Sequence, residues 1–423
     1  MSDVSNEAPK AVRSAPRDED QPRFPWRAGI GLLLGAWGWF FAGQAVNTVL
    51  LPAKIALIDP EGKVGLVAIV STVTMIISVV AGIVGGALSD MTRSRIGSRS
   101  PWIIGGVIVG TVLLIIFAIA DNIAVVMVSW WLYAAVYNVM LAAGLAWQPD
   151  MIALRWRGTT SSMYGIGHQI ALQGSQVVIA PLVTNISKGV IIALVVTDIV
   201  SLLSVIVAKE PSNVGVPRPK KTGIADAFRN FLPPLDGGRD YYLAALARFL
   251  WMMPGGIGTY RLYTLTDYMH QSKQSAGDWM SLMALLGMII SITFCVISGP
   301  LADRFHTIKL PLAVAIFAVG LPCWLPFFIP TPLHYTIYVA ISAIGGGIFT
   351  SLDQAIMTTV LPHPENAAKD LGFLNSCGIL GNLAAPLLAA WVIGEFGYRG
   401  LFPMGFIVLT AAAICVFCIK KVK

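Results

Sequence analysis

Charged residues are scarce in this chain. Asp, Glu, Lys and Arg make up 12% of its 423 residues, whereas ordinary soluble domains contain about 25%. A soluble protein of this length has enough chain for about two or three cores, but its surface would require far more charge. Because 56% of the residues are hydrophobic, the composition argues against a water-soluble protein and indicates a membrane protein.

Histidine and cysteine are also few, and they form none of the groupings that catalysis or metal binding requires. The five cysteines lie in or beside apolar runs, and the pair Cys415 and Cys418 has no second pair or nearby histidine to complete a metal site. We therefore expect neither an enzyme nor a bound cofactor or metal. No Ser-His-Asp or His-Glu-x-x-His grouping occurs, because the histidines stand on separate segments: His168, His270, His306, His334 and His363.

A continuous basic face is missing too, although the net charge is +7. Cytoplasmic loops of membrane proteins carry an excess of positive charge, and most of the 29 Lys and Arg residues lie in alternate loops and at both ends of the chain. We therefore predict a multi-pass protein of the plasma (inner) membrane with both termini cytoplasmic, no nucleic-acid partner, and basic loops that contact anionic lipid. The few basic residues in the other loops are Lys54, Lys63, Lys188, Lys273 and Arg399.

Long apolar runs fill most of the chain. A helix needs about 20 apolar residues to cross a bilayer, and runs of this kind predict an all-α polytopic membrane protein with twelve transmembrane helices. The predicted helices are 28–51, 64–88, 102–120, 123–147, 159–184, 189–208, 240–268, 278–299, 310–329, 333–360, 370–394 and 399–419.

Polar segments divide the chain into two halves. Residues 1–27 are polar and rich in proline and charge, which predicts a disordered cytoplasmic tail rather than a signal peptide. The longest later interruption, residues 209–239, predicts a cytoplasmic linker between two six-helix bundles. The bundles occupy residues 28–208 and 240–419, and residues 420–423 form a short basic tail.

The two halves also repeat one another. The segments "GALSDM" (Gly86–Met91) and "GPLADR" (Gly299–Arg304) each close the second helix of a half, and the glycine spacing of 165–174 recurs at 372–381. Repeated six-helix halves with a central site between them are a recurrent transporter architecture.

Three segments resemble the major facilitator superfamily of transporters: "GALSDMTRSRIGSRSPW" (86–102), "PDMIALRWRGTTSSMYG" (149–165) and "DQAIMTTVLPHPENAAKDLG" (353–372). The first is most similar to the glycoside–cation symporter and sucrose-transporter-like branch, and the third to bacterial members of that branch. The resemblance implies two pseudo-symmetric six-helix bundles, alternating access and a small-molecule substrate bound at the centre.

The resemblance also implies a charged gate at the cytoplasmic ends of the helices. In the family, the aspartate matching Asp90 lies near the start of helix eleven, here Asp370–Leu371, and pairs with loop arginines. Such contacts form when the inner ends of the bundles touch, so they favour the outward-open state. An alternative is that the arginines only anchor the loop to lipid headgroups. The expected gating residues are Asp90, Arg93, Arg95, Arg99, Asp150 (pairing with Arg99) and Asp303 (facing the start of helix five).

Polar and aromatic residues recur at helical spacing on several predicted helices. Amides pair with hydroxyl groups and rings cover C–H faces, so this combination suits a polyhydroxylated ligand. The alternative is ordinary hydrogen bonding between membrane helices. The candidate substrate-binding residues are Trp37, Gln44, Asn47, Tyr133, Tyr137, Asn138, Gln169, Gln173, Arg248, Gln354 and Asn375.

Ionisable residues at mid-membrane depth are costly and indicate function. Asp353 is the first candidate for a coupling group, because a desolvated carboxylate readily carries a proton, and His168 is the second. Alternatively, Arg248 neutralises Asp353 and the pair acts as a conformational lock. Cation-coupled sugar symporters of the branch that this chain resembles often carry acids within helix one or two, but neither 28–51 nor 64–88 contains an acid inside its apolar span. This departure from the branch argues against sodium coupling and for proton coupling or uniport.

Together these features predict a secondary active transporter that takes up a sugar or glycoside with protons, and that works as a monomer. The alternative on the same fold is a proton-antiport exporter of drugs or metabolites. The fifth helix lacks the Gly-Pro-x-x-Gly-Gly signature of many antiporters, which favours uptake. A channel would need one open pore instead of two gated halves.

Overall fold

The computed structural model describes residues 16–215, 238–305, 309–360 and 367–420, except the side chains at 298–305, 309, 311, 350–352, 354–356, 358, 359, 367–369 and 371. The excluded side chains include Asp303 and Gln354 of the predicted site. Throughout the described ranges the regular structure is helical. The principal helices are α1 (Trp26–Ala45), α2 (Lys63–Met91), α3 (Ser100–Ile119), α4 (Ile123–Leu145), α5 (Arg157–Ile179), α6 (Ile186–Ala208), α7 (Arg239–Met252), α8 (Lys273–Phe305), α9 (Lys309–Gly320), α10 (Pro332–Thr359), α11 (Ala367–Phe396) and α12 (Leu401–Phe417).

Nine helices in the described part of the chain are long and apolar enough to cross a membrane. The prediction of an all-α polytopic membrane protein is confirmed at this level. The other three, α5, α7 and α9, are extended by short helical turns: Ala180–Leu182 follows α5, Leu321–Cys323 and Trp324–Phe328 follow α9, and several turns follow α7.

Helix packing follows one pattern in both halves. In the first half α1 packs on α5 and α6, α2 on α4, and α3 on α4 and α6. In the second half the same pairs recur with each helix number raised by six: α7 packs on α11 and α12, α8 on α10, and α9 on α10 and α12. The halves meet where α2 packs on α11 and where α5 packs on α8. These two contacts are equivalent, because α2 corresponds to α8 and α5 to α11 when the helices of the two halves are matched. This pattern supports the repeat deduced from the sequence.

The apolar core is shared at one end of the molecule and divided at the other. We call the end that carries residues 59–62, 183–185 and 269–272 the closed end, and the end that carries residues 92–99 the linker end. One hydrophobic cluster at the closed end contains side chains of both halves, among them Leu50 and Tyr263. Towards the linker end the buried apolar residues form two separate clusters, one in each half. The halves are therefore packed together mainly at the closed end.

The structure differs from two of the predicted segments, the seventh helix and the N-terminal tail. Helix 240–268 is broken after Met252, as described below. Part of the predicted tail packs on the first half: Gln21 donates to the Met151 carbonyl oxygen (2.8 Å) and accepts from Ala153 N (2.9 Å). The composition of residues 1–27 predicts disorder, but the amide of Gln21 forms hydrogen bonds with backbone groups in the loop after α4. Residues 216–237 of the predicted linker lie outside the described residues.

The linker begins with a capping interaction. Glu210 is 6% exposed, and its carboxylate accepts hydrogen bonds from the backbone N–H groups of Ser98 (2.8 Å) and Ser100 (2.9 Å) at the start of α3. The indole of Trp147 also donates to it, at 3.2 Å. A Cβ at Gly97, whose φ is +96°, would lie 2.1 Å from this carboxyl group. Because helix N-termini favour negative charge, Glu210 joins the linker to α3.

Replacing Glu210 with Gln is expected to destabilise the first half, since hydrogen bonds to a charged group contribute about 1.5–3 kcal/mol. We expect the midpoint of thermal unfolding in detergent to fall by about 4 °C or more. The matched control is Glu61→Gln, which removes an exposed acid and should leave the midpoint unchanged. Equal midpoints for both variants would contradict the capping role.

Candidate functional site

A break in the helix that follows the linker creates the central site. α7 ends at Met252, and Pro254, which cannot donate a backbone hydrogen bond, stands between it and the short helix Gly255–Thr259. Tyr260, with φ −97° and ψ 17°, then interrupts the helix a second time, before the helical turn Arg261–Tyr263. Discontinuous membrane helices are tolerated where they line a cavity, and they mark substrate sites in many transporters.

A cavity of about 300 Å³ lies beside this break and between the two halves. Gly256 sits on the packed side, since a Cβ there would lie 2.5 Å from the Ala385 carbonyl oxygen of α11. The remaining lining is dominated by hydroxyl and amide groups. The lining residues are Asn47, Thr48, Ser71, Thr74, Met75, Gln176, Gly255, Gly258, Thr259, Arg261, Asn382, Ala385 and Pro386.

Arg261 supplies the positive charge of this cavity. One of its terminal nitrogens donates to Oε1 of Gln176 on α5 at 3.2 Å, so the contact crosses between the halves. Its Nε atom is buried and has no hydrogen-bond partner among the described residues. The sequence prediction did not select Arg261, although a charge inside an apolar span was a signal that pointed to it.

A second polar cluster lies within the second half. Arg248 on α7 forms an ion pair with Asp353 on α10, and each side chain is 16% exposed. The same guanidinium donates to Oδ1 of Asn375 on α11 at 2.9 Å and contacts the sulfur of Met357. Three of the predicted residues, Arg248, Asp353 and Asn375, are thus brought together, and Gln354 lies outside the described side chains.

The glutamine stripe of α5 faces the second half. The side chain of Gln169 lies 3.5 Å from Oγ of Ser291 on α8. Gln173 lies next to Gly287 of the same helix, 3.5 Å from the position of a Cβ there. Since Gln176 belongs to the cavity, the stripe runs along the contact between the halves.

The other predicted binding residues lie mainly inside the first half. Tyr133 and Tyr137 stack with ring centroids 6.0 Å apart, and Asn138 donates to Oγ of Ser78 (2.9 Å). His168 packs edge-on against Phe40, with centroids 4.4 Å apart. Among the candidate substrate-binding residues whose side chains are described, Asn47 is the one that lines the central cavity. The indole nitrogen of Trp37 is buried and has no partner in the described structure. Gln44 lies one turn before Thr48, whose hydroxyl donates to the Gln44 carbonyl oxygen at 2.7 Å.

The expected gating residues form a network within the first half. Arg99 lies between two carboxylates, 2.5 Å from Asp90 and 2.9 Å from Asp150, and donates to Oγ of Ser89 at 2.6 Å. Burial alone lowers the pKa of Arg99, but the carboxylates of Asp150 and Asp90 outweigh it and raise the pKa above its ordinary value. Arg93 donates to the backbone oxygen of Asp90 at 2.8 Å.

The expected contact between Asp90 and the start of α11 is replaced by contacts within each half. Asp90 is 50% exposed and pairs with Arg99, whereas the Asp370 carbonyl oxygen accepts from the Tyr241 hydroxyl at 2.8 Å. The halves share their core at the closed end, so the linker-end contact is not made in this conformation. Arg95 is exposed, and the side chain of Asp303 lies outside the described residues.

The closed end carries polar contacts between the halves that the sequence analysis did not anticipate. Lys63 at the start of α2 forms an ion pair with Asp267, at 2.5 Å, and its ammonium lies 4.9 Å from the ring centroid of Tyr263. The hydroxyl of Tyr263 donates to the Pro52 carbonyl oxygen at 2.8 Å, and that of Tyr260 to the Val64 carbonyl oxygen at 3.0 Å. These contacts seal the cavity at that end.

Sequence comparison agrees with this architecture. The sequence profile of the Major Facilitator Superfamily matches residues 29–363 and 242–423. The chain belongs to the major facilitator superfamily. Membership makes it a multi-pass membrane transporter rather than an enzyme, with a small-molecule substrate.

Individual relatives are more distant. The chain is 29% identical over 131 residues to the multidrug resistance protein B homolog of Mycobacterium tuberculosis (strain ATCC 25618 / H37Rv), a match that covers 30% of this chain and 24% of the relative. The matched chain therefore spans about a quarter of that relative's length. Because the identity is low and the match is short, assignment to the glycoside–cation symporter branch of the superfamily stays a prediction.

Solved structures share the fold over nearly the whole chain. The peptide transporter POT in complex with sulfate has a TM-score of 0.72 at 15% identity, covering 96% of both chains. A mutant of the nucleoside transporter NupG has a TM-score of 0.70 at 14% identity, covering 93% of this chain and 98% of its own. A bacterial homolog of the human lysosomal transporter Spinster, inward-facing and occupied, has a TM-score of 0.68 at 14% identity, covering 95% of this chain and 98% of its own.

Breaking the closed-end ion pair is expected to loosen the seal. A partly exposed pair contributes up to about 1 kcal/mol, so Asp267→Asn should raise the ratio of separated to sealed closed ends about fivefold. The ratio is measured from distances between spin labels at Glu61→Cys and Lys273→Cys, after replacement of the native cysteines. Glu395→Gln, an exposed acid at the same end, serves as the control. Identical distance distributions for both variants would show that the pair does not hold the halves together.

Proposed function

We propose that this protein is a proton-coupled secondary transporter that moves a small polar solute by alternating access, with twelve membrane-spanning helices in two pseudo-symmetric six-helix bundles. The observation that carries the proposal is the cavity between the halves, which is sealed at one end by contacts that Tyr260 and Tyr263, in the segment after α7, make with the first half. The six-helix shift in the packing pattern supports the two-bundle division.

The linker end is the cytoplasmic end in this proposal, and both termini lie there. The positive residues of the loops at that end, including Arg93, Arg99 and Arg155, support this orientation through the positive-inside rule. The conformation is then inward-facing, because the shared core lies at the opposite end. The structural similarity to the inward-facing Spinster homolog agrees with this assignment.

The ion pair of Arg248 and Asp353 is the proposed coupling site. It joins α7 to α10 within the second half, and the segment that follows α7, residues 255–263, forms the seal and part of the cavity wall. Burying two charges is costly unless both are paired, so a proton on Asp353 would release Arg248 and change the packing of α7. His168, enclosed by the rings of Phe40 and Tyr164, is the second candidate for the proton site.

The Arg99 network is the proposed cytoplasmic gate. Its two carboxylates hold the loop after α2 against the helical turn Trp147–Met151 that follows α4. The half-exposed Asp90 remains at the surface that would face α11 in the outward-open state. Helix N-termini attract carboxylates by about 0.3–2 kcal/mol. A contact of that size is large enough to change the populations of two states that differ by a few kcal/mol.

A sugar or glycoside taken up with protons is the proposed substrate class, because amide and hydroxyl groups dominate the cavity wall. Export of drugs or metabolites by proton antiport is the second candidate, and the 29% identity over 131 residues to a multidrug resistance protein homolog favours it. The amide and hydroxyl groups of the cavity favour the first. The protein is proposed to work as a monomer.

Replacing Asp353 with Asn is expected to abolish solute accumulation driven by a pH gradient and to leave solute exchange intact, because exchange requires no proton transfer. A proteoliposome screen over sugars, with and without a pH gradient, first identifies a transported solute, and the same assay then compares the variants. Asp198→Asn is the matched control, since Asp198 is also a membrane acid and accepts from Thr111 (2.9 Å) on α3. Undiminished accumulation by the Asp353 variant would exclude it as the coupling group and favour His168.

A further inference from the structure

The central cavity is lined by one cation and, among the described residues, by no acid. Arg261 has neutral partners, since it donates to Gln176 and also interacts with the hydroxyl of Tyr335, and its buried Nε atom has no hydrogen-bond partner in the described structure. Among the other described cations, the buried Lys54 donates to the Ala118 carbonyl oxygen at 2.9 Å, whereas three others have acidic partners. Lys63, Arg99 and Arg248 each form an ion pair with an aspartate.

A guanidinium inside the membrane that has no acidic partner is energetically costly. Removing a charge from water without a counter-charge costs several kcal/mol in a protein, and such residues inside the membrane indicate function. A packing role would not require the charge, since a neutral side chain can also bond to Gln176. Gln176 and Tyr335 are both neutral, so neither supplies a counter-charge for Arg261. A ligand that carries negative charge would supply the missing counter-charge.

We propose that Arg261 binds the carboxylate of the transported solute, and that this solute is a small hydroxylated monocarboxylic acid of the sugar-acid class. The inference rests on the transport function proposed above and specifies its substrate. One guanidinium balances one carboxylate, and its planar fork matches the two carboxylate oxygens. A phosphate ester would leave excess negative charge, because no second cation lines the described cavity.

The rest of the cavity accounts for the hydroxyl groups. Asn47 and Ser71 belong to the first half, and Thr259 and Asn382 to the second, so neutral donors and acceptors face the centre from both sides. A volume of about 300 Å³ is at the lower limit of ligand pockets and suits a solute of sugar size. Because Arg261 already contacts Gln176 across the halves, a solute bound there also contacts both halves.

The test measures binding to the purified full-length protein with pairs of probes that differ in charge. Thermal unfolding in detergent is followed with glucose against gluconate and glucuronate, with galactose against galacturonate, and with glucose 6-phosphate. We expect the carboxylates to raise the unfolding midpoint of the unmodified protein and the neutral sugars to have no effect. In Arg261→Gln the affinity for the acids should fall about tenfold or more, the loss expected for one charged hydrogen-bonded contact.

Two further variants make the result specific. Arg261→Lys keeps the positive charge but lacks the planar fork, so it should retain part of the affinity for the acids. Such retention would show that the loss of affinity in Arg261→Gln comes from the missing charge and not from unfolding. Arg155→Gln removes a cation at the linker end, where Arg155 lies 4.8 Å from the Trp156 ring centroid, and should bind the acids normally. Both variants are checked by size-exclusion chromatography before binding is measured.

Several outcomes would overturn the proposal. These are equal stabilisation by neutral sugars and their acids, unchanged acid affinity in Arg261→Gln, stabilisation by glucose 6-phosphate alone, or no effect of any acid. Failure of the transport proposal is a separate result. Acid binding that depends on Arg261, without uptake driven by a pH gradient in proteoliposomes, would contradict proton coupling and retain the carboxylate site.

Discussion

The closed-end cluster is the interaction on which the rest of the structure depends. It is the one apolar core described that draws side chains from both halves, and the cavity lies next to it. Hydrophobic contacts have no preferred direction, so the tyrosine hydrogen bonds and the Lys63–Asp267 pair provide the specific alignment. If this cluster separated, the cavity would lose its cover while each half kept the core near its linker end.

Much of the fold could be predicted because crossing a membrane demands long apolar runs, and loops interrupt those runs with charge. The break after Met252 was hidden, since proline and glycine also occur in unbroken membrane helices. Glu210 was counted with the linker because nothing in its own segment shows that it caps α3. Such a contact links positions more than a hundred residues apart.

The site was predicted in part for a related reason. Residue type identified Arg248, Asp353 and Asn375, which the structure brings together. Position along a helix could not show which face meets the other half, because that depends on how α5 packs on α8 and α7 on α11. Tyr133 and Tyr137 therefore turned out to stack inside the first half, while the cavity drew on Arg261. Arg248 and Arg261 differ in their partners: the first is paired with an acid and the second donates to an amide.

The tyrosine contacts of the seal have a consequence for sequence variation. Tyr260 and Tyr263 donate to main-chain oxygens at positions 64 and 52, and every amino acid provides such an oxygen. Substitutions at those two positions leave the acceptors in place, whereas loss of either tyrosine removes a donor. At these two contacts the tolerance to substitution is therefore unequal: positions 52 and 64 of the first half can vary, whereas Tyr260 and Tyr263 of the second half cannot be replaced without losing a hydrogen bond.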